Sequence, residues 1–303
     1  DFEESPVSDL NYQTQMKPDL FYWSVRVHPE NPWILYWKWN GNNNLVYQEL
    51  SSYLKGDFGR SKVDGVPVAQ KFLKALPWSI SIQAPAIILL IFVGIWWSVE
   101  SLLHPGKWYI RILDACLLML HSMPAFWLAT LMLLFFANTQ FLSIFPTGMQ
   151  QISSGNPLRM LITQPVYFIL PIICLVLPSL AYLVQLLRNN LARQMDQLVW
   201  IRALSTGMKQ RQILLREALP NAAVPLAGWF SAIIPALFSG SVLIEQIFSI
   251  PGLGRLLFQA ISSRDWPTVQ FIFLISGTTT VIGFIMADLF VRKLDPRLLK
   301  NQA

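Results

Sequence analysis

The sequence predicts an all-α integral membrane protein, with five transmembrane helices in its 303 residues and two short amphipathic helices on the cytoplasmic side. Three observations carry this reading. First, 53% of residues are hydrophobic and 13% charged, against about 25% charged in a soluble domain, and the mean hydropathy is +0.43. Second, five runs reach the roughly 20 apolar residues that a span needs: 76–99, 112–136, 165–187, 222–248 and 269–291. Third, Lys and Arg number twelve in segments 100–111, 188–221 and 292–303, against three in 137–164 and 249–270. Cytoplasmic loops carry such an excess, so the asymmetry sets the orientation.

That orientation puts residues 1–75 outside the membrane, as a region of 8 basic and 9 acidic side chains that long-loop translocation tolerates. No apolar run precedes Leu76 to carry this region across, and the chain starts at Asp1 rather than Met. The expectation is therefore a first span ahead of Asp1, six in the intact protein. Residues 76–303 form the transmembrane domain, with 188–221 as its long cytoplasmic loop. The net charge of +6 reads as the bias that orients spans, not as a nucleic-acid surface. Cys116 and Cys174 both fall in apolar runs, where free cysteine packs as a small hydrophobe.

Nothing in the chain points to catalysis. His28, His104 and His121 have no metal-ligand spacing, and no phosphate loop of the GxxxxGK type occurs. The glycines of Pro251-Gly-Leu-Gly254 lack the lysine and read as a turn. His121, in mid-span, is either a proton relay or a neutral histidine hydrogen-bonded within the bundle. No metal and no cofactor is expected on this chain.

Residues 201–225, IRALSTGMKQRQILLREALPNAAVP, set a basic stretch between two apolar runs. Leu191, Met195, Leu198 and Arg202 follow helical spacing. Beyond Gly207 a polar stripe of Lys209, Gln212 and Arg216 runs beside an apolar one of Leu215, Ala218 and Leu219. Gly207 permits the left-handed geometry at which one helix ends and another begins, and Pro220 is expected to stop the second helix. Two uses remain open on the residues alone: a basic helix lying on anionic headgroups, or a docking element for a cytoplasmic partner.

The segment resembles the EAA loop of binding-protein-dependent ABC importers, with Ala203, Gly207, Leu219 and Pro220 at matching places. Ile201, Arg202 and Glu217 depart from the general signature. The dipeptide and oligopeptide permease branch departs similarly, and EALPNA at 217–222 is similar to its helix ending. Five further stretches resemble that branch in order: GDFGRS at 56–61, SMPAFW at 122–127, LPSLAYLVQLLRNNL at 177–191, IEQIFSIPGLGRLL at 244–257 with SRDWPTVQ at 263–270, and LDPRLL at 294–299.

The resemblance implies a non-enzymatic permease subunit in the cytoplasmic (inner) membrane of a prokaryote. It implies a second homologous permease, two ATPases that hold ATP and Mg, an extracytoplasmic binding protein, surrounding membrane lipid and no nucleic acid. Peptides are the expected cargo; nickel chelates or sugars, or secondary transport without ATPases, are the alternatives. Arg202, Ala203, Gly207, Lys209, Arg211, Arg216, Glu217, Leu219 and Pro220 are the expected ATPase-coupling residues. Ser122, Pro124, Phe126 and Trp127 are candidates for the pore or gate. Glu245 faces either the translocation path or headgroup water, and Arg264 with Asp265 either contacts the binding protein or forms an exposed pair.

Overall fold

In the computed structural model the described residues are 23–27, 35–39, 41, 44–137, 142–149, 155–196, 198–226, 228–229, 231, 235 and 241–294. The chain divides into two compact units, Asp1–Gly59 and Arg60–Ala303.

The first unit holds an antiparallel hairpin that the all-helical expectation did not include. Strand β1 (Trp23–Val27) pairs with β2 (Leu35–Trp39) in the register Trp23↔Trp39 to Val27↔Leu35, and both are rich in the aromatic and β-branched residues that suit a pleated surface. The Trp23 and Trp39 rings meet edge to face at 4.9 Å. Helix α1 (Leu45–Leu54) follows, capped by Asn44, whose side chain accepts from the Tyr47 N–H at 2.8 Å.

The second unit is built on α2 (Val68–Leu103) and α6 (Val166–Met195). Small residues let these helices approach closely. A Cβ on Gly94 would lie 2.7 Å from Leu183 Cδ2, and the Ser98 hydroxyl donates both to Gly94 O and across to Val184 O. Around them lie α3 (Trp108–Ser122), α4 (Ala125–Phe136), α5 (Pro157–Thr163), α7 (Leu198–Ser205), α8 (Gln210–Ile213) and α9 (Leu219–Ala222), then α10 (Val242–Ile247), α11 (Leu253–Ser262) and α12 (Trp266–Leu294). Three core clusters stack along the α2–α6 pair. One gathers Trp78, Ile82, Phe168 and Ile250, the next Leu90, Leu180 and Leu187, and the third Val99, Leu191 and Leu214.

Among the described residues three helices are long and apolar enough to cross a membrane: α2, α6 and the Trp266–Leu289 part of α12. At about 1.5 Å per residue, the 36 residues of α2 span about 54 Å, well beyond the roughly 30 Å hydrocarbon core. The expected span 112–136 is not a single helix. It breaks into α3 and α4, which meet at 110°, because Pro124 has no N–H to continue α3 and forces Met123 into extended geometry (φ −86°, ψ 134°). Within the expected span 222–248, residues 227, 230, 232–234 and 236–240 lie outside the described residues; a 3-10 turn at Val224–Leu226 and α10 are described towards its two ends.

Candidate coupling site

Helices α7 and α8 and the turn between them form the candidate site. Helix α6 ends at Met195, so Leu191 and Met195 belong to the long helix and the first short helix is Leu198–Ser205 alone. It closes at Gly207, whose φ of +78° is the left-handed conformation the sequence called for and whose N–H donates to Leu204 O at 3.0 Å. Among the described residues nothing lies within 4 Å of the Cβ position at Gly207, so backbone conformation, not crowding, demands glycine there.

The second helix departs from expectation. After α8 the chain takes a π turn, Leu214–Ala218, and runs straight on into α9. Pro220 does not stop it: the proline sits in the first turn of α9, where the wide turn before it leaves no backbone bond for its missing N–H to break. The buried residues are Ile213, Leu214, Ala218 and Ala222, whereas Leu215 is exposed and Leu219 half-buried. With Trp200 and Ala203 they seat on Val99 of α2 and Leu191 of α6. The opposite face exposes Arg202, Lys209, Arg211, Arg216, Glu217 and Pro220. A short helical pair thus rests by its apolar face on the ends of the two central helices and turns a basic face outward.

The other candidates fall at two further places. Ser122, Pro124, Phe126 and Trp127 lie at the α3–α4 bend and are exposed; the Ser122 hydroxyl is turned back onto Leu118 O at 2.9 Å. His121 beside them is exposed and pairs through Nδ1 with Pro178 O of α6 at 2.6 Å.

Glu245 neither opens onto a path nor reaches water. Its side chain is 0% exposed and accepts from the Ser79 hydroxyl at 2.8 Å, the Ser241 N–H at 3.2 Å and the Arg255 N–H at 3.1 Å. Ser79 in turn accepts from the Leu253 N–H at 2.7 Å. The carboxylate ties α2, α10 and the start of α11 into one joint, and the Pro251–Gly254 turn lies against it. A Cβ on Gly252 would come within 2.4 Å of the Glu245 carboxylate and 2.6 Å of Ser79 Oγ.

Arg264 and Asp265 separate. Arg264 is exposed, with φ +56°. Asp265 is buried at 1% exposure and offers no surface to a partner, because its carboxylate accepts from the Ser61 hydroxyl (2.6 Å), the Lys62 N–H (2.9 Å) and the Thr268 hydroxyl (2.7 Å). Lys71 Nζ stands 3.7 Å away. Burial pushes this carboxyl up, but those hydrogen bonds and the Lys71 charge together hold it below the usual carboxylate value.

Sequence reasoning missed one polar cluster altogether. Asp114 of α3 accepts from Arg188 Nη1 of α6 at 2.5 Å and from Trp97 Nε1 of α2 at 2.9 Å. An acidic residue just inside the expected span 112–136 was the available signal. Its partners lie too far along the chain for spacing to find.

The fold and site define a helical, multi-pass membrane protein with a basic helical pair at one end of its central bundle. The family is shown directly. Residues 84–300 match the model of the binding-protein-dependent transport system inner membrane component, and the chain belongs to that family.

A putative peptide transport system permease protein of Brucella abortus is 35% identical over 242 residues, covering 80% of this chain and 75% of the relative. The oligopeptide transport system permease protein AppB of Bacillus subtilis is 29% identical over 268 residues, covering 88% and 80%. The nickel import system permease protein NikB of Staphylococcus aureus is 27% identical over 259 residues, covering 86% and 71%. The resemblance to peptide-type ABC permeases drawn from the motifs thus holds over some four fifths of the chain. Among solved structures, an amino acid ABC transporter with histidines shares the fold at 16% identity and a TM-score of 0.50, covering 74% of this chain and 94% of that one.

Proposed function

We propose that this chain is a permease subunit of an ATP-driven importer that moves peptides across the cytoplasmic membrane of a prokaryote. Its work requires a second permease, two ATPases carrying ATP and Mg, and an extracytoplasmic binding protein. The observation that carries the reading is the α7–Gly207–α8 pair: a basic exposed face for an ATPase cleft, and an apolar face seated on the ends of α2 and α6. Closure of the ATPases around ATP presses the pair, and α2 and α6 tilt as rigid bodies between inward-open and outward-open states. ATP drives the change because it favours one state over the other.

The test is a complex of all subunits in lipid vesicles. Wild type is expected to couple peptide uptake to ATP hydrolysis. Gly207→Glu, which forces a side chain into left-handed backbone at a cost of about 1–3 kcal/mol, is expected to assemble but lose most ATP-driven uptake, and Arg216→Ala to lose less. Full coupling in the Gly207→Glu complex would reduce the pair to a helix lying on headgroups. The nickel permease among the relatives favours one second reading of the cargo, a metal chelate, and competition between labelled peptide and nickel chelate in the same vesicles separates the two.

A further inference from the structure

We propose that Asp114 and Arg188, steadied by Trp97, are positioning residues that carry movement of the coupling pair from α6 to the bent α3–α4 helices; this rests on the importer reading above. Arg188 lies on α6 about two turns before that helix ends at Met195 and the coupling pair begins. Its guanidinium donates to Asp114 on α3, and the second oxygen of that carboxylate takes the Trp97 indole N–H from α2. The two charged side chains are 28% and 21% exposed. The cleft beside them, lined by Leu117, Leu118, Ala181 and Val184, has about 10 Å³, at the lower limit of the space one water needs. Pulling the pair apart would leave two partly buried charges without their partners, so the contact resists sliding of α3 along α6.

A second tie lies farther along the same interface, where His121 on α3 meets Pro178 O on α6. The ties are about two helical turns apart on α3. Held at two points, α3 neither slides nor rotates freely on α6. Because α3 leads through Met123 and Pro124 into α4, a tilt of α6 reaches the bend. An ion pair between membrane helices is costly to maintain, and transmission of force gives this one a use that packing alone would not require.

The test uses the complete complex in vesicles, with uptake and ATP hydrolysis measured together. In Asp114→Asn, hydrolysis is expected to persist while uptake per ATP falls about fivefold or more. The double variant Asp114→Arg/Arg188→Asp is expected to regain most of the ratio. An unchanged ratio in Asp114→Asn, or uptake and hydrolysis falling in parallel, would overturn the proposal, since a mere brace alters the amount of working complex and not its coupling. Where Asp114→Asn fails to assemble, Trp97→Phe, which removes one hydrogen bond and keeps the ion pair, is read instead; a lowered ratio supports the joint and an unchanged one overturns it. Wild-type vesicles without ATP-driven uptake would strike the importer reading itself, whereas coupled wild type beside an equally coupled Asp114→Asn complex would strike this proposal alone.

Discussion

Single atoms decide how the buried carboxylate joints hold. Gly252 has ordinary backbone geometry (φ −93°), so its requirement is space: the Cβ of Gly252→Ala would stand 2.4 Å from the Glu245 carboxylate. Forced overpacking of this kind costs about 1–3 kcal/mol, and the variant is expected to melt at lower temperature in detergent; an unchanged melting temperature would mean that the joint relaxes freely. Asp265 makes a different prediction. Its folded value lies below the ordinary 3.8, so the stability it contributes is present above that value and lost as pH falls through the folded one. Wild type should therefore lose thermal stability below about pH 4, and Asp265→Asn should lose less over the same window. Parallel pH curves for the two proteins would remove the carboxylate's special role.

At the scale of elements, the α3–α4 bend is where sequence pattern and structure part. Apolar content reads 112–136 as one span, and only the backbone chemistry of Pro124 says otherwise. Pro124→Ala restores an N–H and frees Met123 to become helical. Spin labels at the exposed positions Met119 and Leu134 should then move apart as the 110° bend opens. An unaltered distance would show that packing of Leu128 and Ala129, both buried, holds the bend without the proline. What was legible in advance was local. Gly207 announced its turn because glycine between two amphipathic stretches leaves few other uses. The joints were not legible, because their partners are remote: Ser61 and Asp265 are 204 residues apart, Ser79 and Glu245 166, and Asp114 and Arg188 74. Spacing rules reach only a few turns, so such pairs show themselves only once the helices are packed.

For the whole molecule, the distribution of charge makes the prediction. From the excess of Lys and Arg in 188–221 we expect the short helical pair on the cytoplasmic side. A membrane-impermeant thiol reagent should label Lys209→Cys only in inverted vesicles and Asp57→Cys only in intact cells. Labelling of Lys209→Cys from outside would reverse the orientation and remove the site at which ATPases could act. The polar knots fit the same frame: Ser61, Lys71 and Asp265 tie the start of α2 to the start of α12, while the basic pair rests on the far ends of α2 and α6. The two ends of the bundle are thus fastened by different chemistry, hydrogen-bonded carboxylates at one and an apolar seat at the other.

That apolar seat depends on angular phase. Along an α-helix, residues spaced by four drift about 40° around the axis at each step, so Leu214, Ala218 and Ala222 would spread over about 80° of the seat. All three are buried, at 0%, 4% and 1% exposure. The π turn at Leu214–Ala218 is wider and rotates less per residue, which narrows that spread. It acts as a fixed angular correction, setting the azimuth of Ala218 and Ala222 on the seat relative to the residues before the turn.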